Sequence, residues 1–313
     1  MTLWESVRGL ARRVVAVTSR VVGQVVASVR AHGARTASVG VGAMLAGTSL
    51  WGLLRADLYP EPESVAAMFR GLDAVSLAVA APTLLGAVWR SGHGSARAQL
   101  VWLAVLAYVT YTYLLYAFGL GWTTALPLHV TLVVLASVAL MARLRRLDRD
   151  ELARTLSGVA RQRAAGVLLA VLGVGLGAMW AFYLGRYALT GQALPEAQLV
   201  QTSYGALLSA AADLVLLVPA YLVAALLLWR RSSWGHPVGA ALLAAGLLQQ
   251  VGYQAELFAQ SASGIPGARA FDPAEPVIAA LYVVGVALLF GRPQRALPLP
   301  GPPVGRRPAL HRA

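Results

Sequence analysis

Runs of about 20 largely apolar residues recur along almost the whole chain, and this recurrence limits its fold more than any other feature. At 1.5 Å per residue, each run is long enough to cross a hydrocarbon core of about 30 Å as a helix. A water-soluble domain has no means of burying so many of them. With 58% hydrophobic and only 12% charged residues, the 313-residue chain carries about half the charge of an ordinary soluble protein. The period-2 alternation of an outer-membrane barrel is absent. An all-α, polytopic transmembrane bundle is the class that remains, because a helix satisfies its own backbone groups in lipid.

The runs predict eight spans, near 37–54, 68–89, 98–117, 125–143, 165–184, 205–229, 237–258 and 276–291. All 26 Lys and Arg positions are Arg, and the net charge is +13. Apart from Arg55, Arg70, Arg186 and Arg269, every arginine falls in segments on one side of these spans. Asp57, Glu61, Glu63, Glu196, Asp272 and Glu275 fall on the other side. The positive-inside rule then sets both termini in the cytoplasm of a cell-membrane protein, which an even number of spans satisfies. The basic balance reads as this sorting and not as nucleic-acid binding. The absence of Cys excludes disulfides and thiolate metal sites.

The chain divides into five parts. Residues 1–35 repeat Val, Trp and Ala on one helical face and Arg on the other, as in a surface helix whose arginines meet anionic lipid headgroups. Residues 36–147 and 165–296 carry four spans each, joined by a basic linker at 148–164. The Pro- and Arg-rich tail, 297–313, has the composition of a disordered segment.

The two four-span halves resemble one another. Gly40-Val41-Gly42-Ala43-Met44 matches Gly175-Leu176-Gly177-Ala178-Met179, and Pro60-Glu61 matches Pro195-Glu196. At a slightly larger offset Asp73 matches Asp213, Trp89-Arg90 matches Trp229-Arg230, Tyr113 matches Tyr253 and Phe118 matches Phe258. Pairings of Asp, Trp, Met, Pro and Tyr in one order are harder to obtain from compositional bias than pairings of Ala or Leu. Repeats with an even number of spans insert the same way round, so they predict a pseudo-two-fold axis along the membrane normal.

Polar residues inside spans are the candidates for function, because each costs a few kcal/mol to insert. Asp73 and Asp213 each stand 16 residues before a tryptophan that marks the inner interface, about 24 Å away. Two readings stand for them: paired acids that bind a cation or proton from outside, or clamps to Arg55 and Arg186 at the ends of the preceding spans. Tyr108, Tyr111 and Tyr113 in the third span either line a polar pocket or bond between helices. His129, Gln250, Tyr253 and Glu256, with Gln254, suggest an outward-opening polar cavity for a small solute or ion. No phosphate-binding loop, HExxH helix, GxSxG elbow or His cluster occurs, so no cofactor, metal or catalytic residue is expected and an enzyme is disfavoured.

The run Tyr111-Thr112-Tyr113-Leu114-Leu115-Tyr116-Ala117-Phe118-Gly119, with Asp213-Leu214, Pro219 and Trp229-Arg230-Arg231-Ser232-Ser233-Trp234-Gly235, resembles a family of bacterial multi-pass membrane proteins of unassigned function. The resemblance covers mainly spans 3, 4, 6 and 7. It departs from that family at Thr112, where Asn is usual, and at His129-Val130-Thr131, where aromatics are usual. It implies a membrane bundle and no particular activity. The functional expectation is a small-solute or proton-linked transporter. The alternatives are a structural or assembly protein held by ion pairs, and a membrane enzyme acting on lipid or quinone.

Overall fold

The computed structural model describes residues 33–55, 57–59, 62–149, 152, 158–191 and 199–291. The amphipathic segment expected over 1–35 (but for its last three residues), the Pro/Arg-rich tail and the matched Pro60-Glu61 and Pro195-Glu196 lie outside the described residues. Those described are almost wholly helical, without a strand. Eight long helices follow in order: α1 (Gly33–Leu54), α2 (Glu63–Ser91), α3 (Ala96–Gly119), α4 (Leu126–Arg145), α5 (Val159–Thr190), α6 (Ser203–Trp229), α7 (Gly235–Ala262) and α8 (Glu275–Phe290). The first six are long and apolar enough to cross a membrane. α7 has 28 residues but carries a polar C-terminal half, and α8 is apolar but has 16 residues.

Local chemistry explains the ends. Ser95 caps α3 by accepting a hydrogen bond from the Ala98 amide (3.3 Å), and Thr202 caps α6 through Gly205 (3.0 Å). Pro127 and Pro276 occupy first-turn positions, where a missing N–H costs nothing. α5 stops at Gly191, whose left-handed conformation (φ 66°) closes the last turn on the Tyr187 carbonyl. α5 begins at Val159, so the end of the expected linker 148–164 is helical. Trp89 and Trp229, more than half exposed, sit at the ends of α2 and α6 as interfacial anchors would.

α2 and α6 share a further feature. Each contains a five-residue π turn, Ser76–Ala80 and Asp213–Leu217. Each turn closes with an i→i−5 bond, from the Ala81 amide to the Ser76 carbonyl and from the Val218 amide to the Asp213 carbonyl. In both, proline follows at once, Pro82 and Pro219. A proline ring clashes with the carbonyl four residues earlier in a regular α-helix. The wider turn relieves that clash, so proline sets where each π turn falls.

α1 lies against α2, α3 and α4: Gly42 faces Leu85, Ser38 Oγ accepts the Trp102 indole N–H (2.7 Å), and Gly40 faces Leu135. α5 packs in the same way on α6, α7 and α8. α3 meets α7 between the halves, with α2–α7 and α3–α6 contacts on either side. The α2–α7 crossing is close because Gly71 has no side chain: a Cβ there would come within 2.5 Å of the Ala255 carbonyl oxygen. The buried apolar residues fall into two clusters. One is drawn from α1–α4 with Ala245 and Leu248 of α7 against it, and the other is drawn mainly from α5–α8 but includes Leu100 and Leu103 of α3. α3 and α7 thus contribute to both cores.

Candidate functional site: three carboxylates around α3

α3 carries six hydroxyl side chains, Tyr108, Thr110, Tyr111, Thr112, Tyr113 and Tyr116, within nine residues, and neighbouring helices bring three carboxylates around it. A buried carboxylate demands donors, and which donors it finds decides what it can do.

Asp73 is wholly buried. Its Oδ2 accepts the Tyr59 hydroxyl at 2.5 Å, and its Oδ1 accepts the Tyr116 hydroxyl at 3.0 Å. Tyr59 lies in the segment between α1 and α2. Burial and the adjacent Asp73 charge raise its phenol far above the ordinary range, so it remains a donor. Tyr113 stacks on Tyr116 (4.7 Å, 9°) and bonds to the Ser49 hydroxyl at 3.0 Å. Gly52 of α1 packs on this group so closely that a Cβ would overlap both the Asp73 carboxylate and the Tyr59 hydroxyl. His129 sets its ring edge-on to Tyr116 and Tyr113, at 4.9 and 5.7 Å. It is wholly buried, and neither ring nitrogen has a hydrogen-bond partner among the described residues.

Asp213 is only partly buried. It accepts the Tyr111 hydroxyl at 2.5 Å and the Trp180 indole N–H at 2.8 Å. Tyr111 comes from the first half of the chain and Trp180 from α5, so this carboxylate joins the two halves. It also begins the π turn of α6.

Glu256 of α7 is the third carboxylate. It is buried beside the Gly71 crossing and makes no side-chain hydrogen bond among the described residues. One turn earlier, Gly252 stands next to the Tyr108 hydroxyl. That hydroxyl and the Ser76 hydroxyl are both buried and both without a partner among the described residues. Thr112 donates to Gln249 of α7 at 3.0 Å.

These positions correct two expectations. The carboxylates are not held by arginine clamps. Arg55 instead makes a two-bond pair with Asp57 (2.9 and 2.8 Å), on the surface. That pair holds the Asp57 carboxyl at about 2. Asp213, expected to pair with Arg186, takes its bonds from Tyr111 and Trp180. The second correction concerns the outward polar cavity. Gln250 donates to Glu275 (2.5 Å), Tyr253 to Asp272 (3.2 Å) and Gln254 to the Ala270 carbonyl (2.7 Å). They tie α7 to the α7–α8 connection and to the first residue of α8, while Glu256 turns inward and His129 joins the Asp73 group. Near Gln250 and Glu275 lies a groove of about 570 Å³ lined mainly by apolar side chains, Val75, Val251, Phe258 and Phe271 among them.

Sequence reasoning missed Tyr59, Ser49, Gly52, Trp180 and Gln260. Gln260 binds the Ser64 and Val200 carbonyls and the Val200 amide, joining both halves at one end of the bundle. Polar or aromatic residues at span ends were a signal for Tyr59, Trp180 and Gln260. Gly52 had none, because its role depends on which helix it meets. No three His, Asp or Glu side chains among the described residues gather as a metal site would require. No family model, curated protein or solved structure matches the chain.

Proposed function

We propose that this is a proton-linked transporter of a small solute, with Asp213 and Glu256 as the groups that exchange a proton. The observation that carries this reading is that the carboxylates within the helices draw their hydrogen bonds from phenol and indole donors, or, for Glu256, make none. An acid fixed by arginine stays charged. An acid among neutral donors, or with none, can gain a proton without stranding a buried cation. Asp213, partly open, is the point of entry, and Glu256, buried beside the α2–α7 crossing, is the inner acceptor.

The architecture belonging to this reading is eight spans, both termini cytoplasmic, in two parallel four-helix repeats. Supporting it, α1 packs on α2–α4 as α5 packs on α6–α8, and the α2–α7 and α3–α6 contacts exchange under a two-fold rotation. α7 is too polar for a lipid-facing helix, but its many neighbours give its glutamines and Glu256 protein surroundings. The resemblance to bacterial multi-pass membrane proteins agrees with this architecture and adds no activity.

The test is proton uptake into proteoliposomes carrying a trapped pH-sensitive dye, under an imposed potential. Uptake by the native chain, lost in both Asp213→Asn and Glu256→Gln, is the expected result. Absence of uptake, or uptake unchanged in both variants, overturns the proposal. Topology is tested separately. A cysteine replacing Pro62 should react from outside intact cells, and one replacing His93 only after permeabilisation. The reverse pattern refutes the orientation. The structural reading draws on the Asp73 group alone, whose enclosure suits a fixed joint.

A further inference from the structure

A second polar site lies on the arginine-rich side of the bundle, far along α3 from the tyrosines. Between the start of α3 and the end of α4 is a cavity of about 290 Å³, at the small end of ligand sites, bordered by Gln99, Arg143, Arg146 and Asp148. Arg143 is fixed there. Its guanidinium lies over the Trp102 ring, 4.9 Å from the centroid, and Nη2 donates to Gln99 Oε1 at 2.5 Å. Trp102 is itself held by its bond to Ser38. The Arg143 Nε is buried and has no hydrogen-bond partner among the described residues, although a guanidinium carries five donors in a rigid fork. Arg146, exposed, supplies a second positive charge at the rim. Gly94 and Ala96 also border the cavity, and the first-turn amides of α3 carry the positive end of a 24-residue helix dipole.

We propose that this cavity binds a phosphate group. Planar, bidentate recognition by a held guanidinium selects phosphate or carboxylate oxygens over a neutral ligand. Among the described residues, two arginines and a helix N-terminus stand against the Asp148 carboxylate and leave the site positive. A cavity between helices on the basic side of a membrane protein has two sources of phosphate, an anionic lipid headgroup and a free phosphate ion. The site does not depend on the transport reading.

The purified full-length protein in neutral detergent is titrated with inorganic phosphate and, separately, with phosphatidylglycerol. Melting temperature and the fluorescence of Trp102, tracked against a Trp102→Phe control, are the readouts. Saturable stabilisation by phosphate ion identifies a free-phosphate site. Saturable stabilisation by the lipid alone identifies a headgroup site. In either case Arg146→Gln, which leaves the Arg143–Trp102–Gln99 contacts in place, should weaken apparent affinity about tenfold. Arg143→Gln should abolish the shift. No saturable shift with either probe, or equal shifts in the native chain and in Arg146→Gln, overturns the proposal. Because Arg146 is exposed, that variant decides the matter even if Arg143→Gln does not fold.

Discussion

Asp73 and Asp213 each stand 16 residues before a tryptophan near the end of their helix, yet their surroundings differ. Asp73 is wholly enclosed, and its partners Tyr59 and Tyr116 belong to its own half. Asp213 is partly open, and one of its two partners, Tyr111, crosses from the other half. Two aspartates at the same distance from a terminal tryptophan therefore need not share a task. Enclosure by short hydroxyl bonds makes Asp73 a joint. Exposure and a bond across the interface leave Asp213 able to change partners.

The largest effect should come from breaking the joint. Asp73→Ala leaves the Tyr59 hydroxyl buried without its acceptor, at about 1–3 kcal/mol, and takes one of two acceptors from Tyr116, which keeps the Phe69 carbonyl at 3.0 Å. A fall in melting temperature far larger than for Asp213→Ala is expected in detergent, and equal falls would erase the contrast between the two. Next comes Gly52→Ala. Its added methyl overlaps the Asp73 carboxylate, and overpacking of this kind costs about 1–3 kcal/mol. The double variant Gly52→Ala with Asp73→Ala should lose less than the sum of the two single losses, a coupling that a thermal-melt cycle reads directly. Tyr111→Phe should be milder, about 1 kcal/mol, because partly open Asp213 can turn to water for the lost bond. Its larger consequence should appear in proton uptake. Smallest of all, Arg55→Gln should leave the melting temperature unchanged within error. Its partner Asp57 is fully exposed, and such surface pairs contribute little. A large loss there would restore a clamp role to Arg55.

The helices were legible in the sequence because lipid imposes length and apolarity on each segment separately. Two starts were legible too, since Pro127 and Pro276 act through their immediate neighbours, whereas α2 and α5 begin five and six residues before their expected spans. The partners of the aspartates were not. An arginine one loop away is the natural guess for an isolated acid, but the side chain that arrives depends on how each helix is rotated about its axis. Tyr116, about two turns beyond Tyr108 and one residue from the end of its expected span, lies at zero exposure against Asp73. The sequence groups Glu256 with Gln250 and Tyr253 in one outward polar cavity. Gln250 and Tyr253 bond to Glu275 and Asp272 beyond α7, whereas Glu256 faces α2 at Gly71. Glycines such as Gly52 and Gly71 identify close crossings only once the opposing helix is known.

The π turns of α2 and α6 change how these two helices must be counted. Each holds one residue more than a regular helix would over the same turn, so everything downstream is out of phase by about 100°. A side chain after Ala80 or Leu217 therefore points about a quarter of a revolution away from where a 3.6-residue count starting at Asp73 or Asp213 would put it. The same offset lets one continuous helix present its acid to the α3 tyrosines in its first half and turn a different seam towards its neighbours in its second. Deleting a single residue from Ser76–Ala80 would let the turn close as a regular α turn with Trp89 at the same angle about the axis, so the extra residue costs the helix nothing downstream and serves to keep the Pro82 ring clear of the preceding turn.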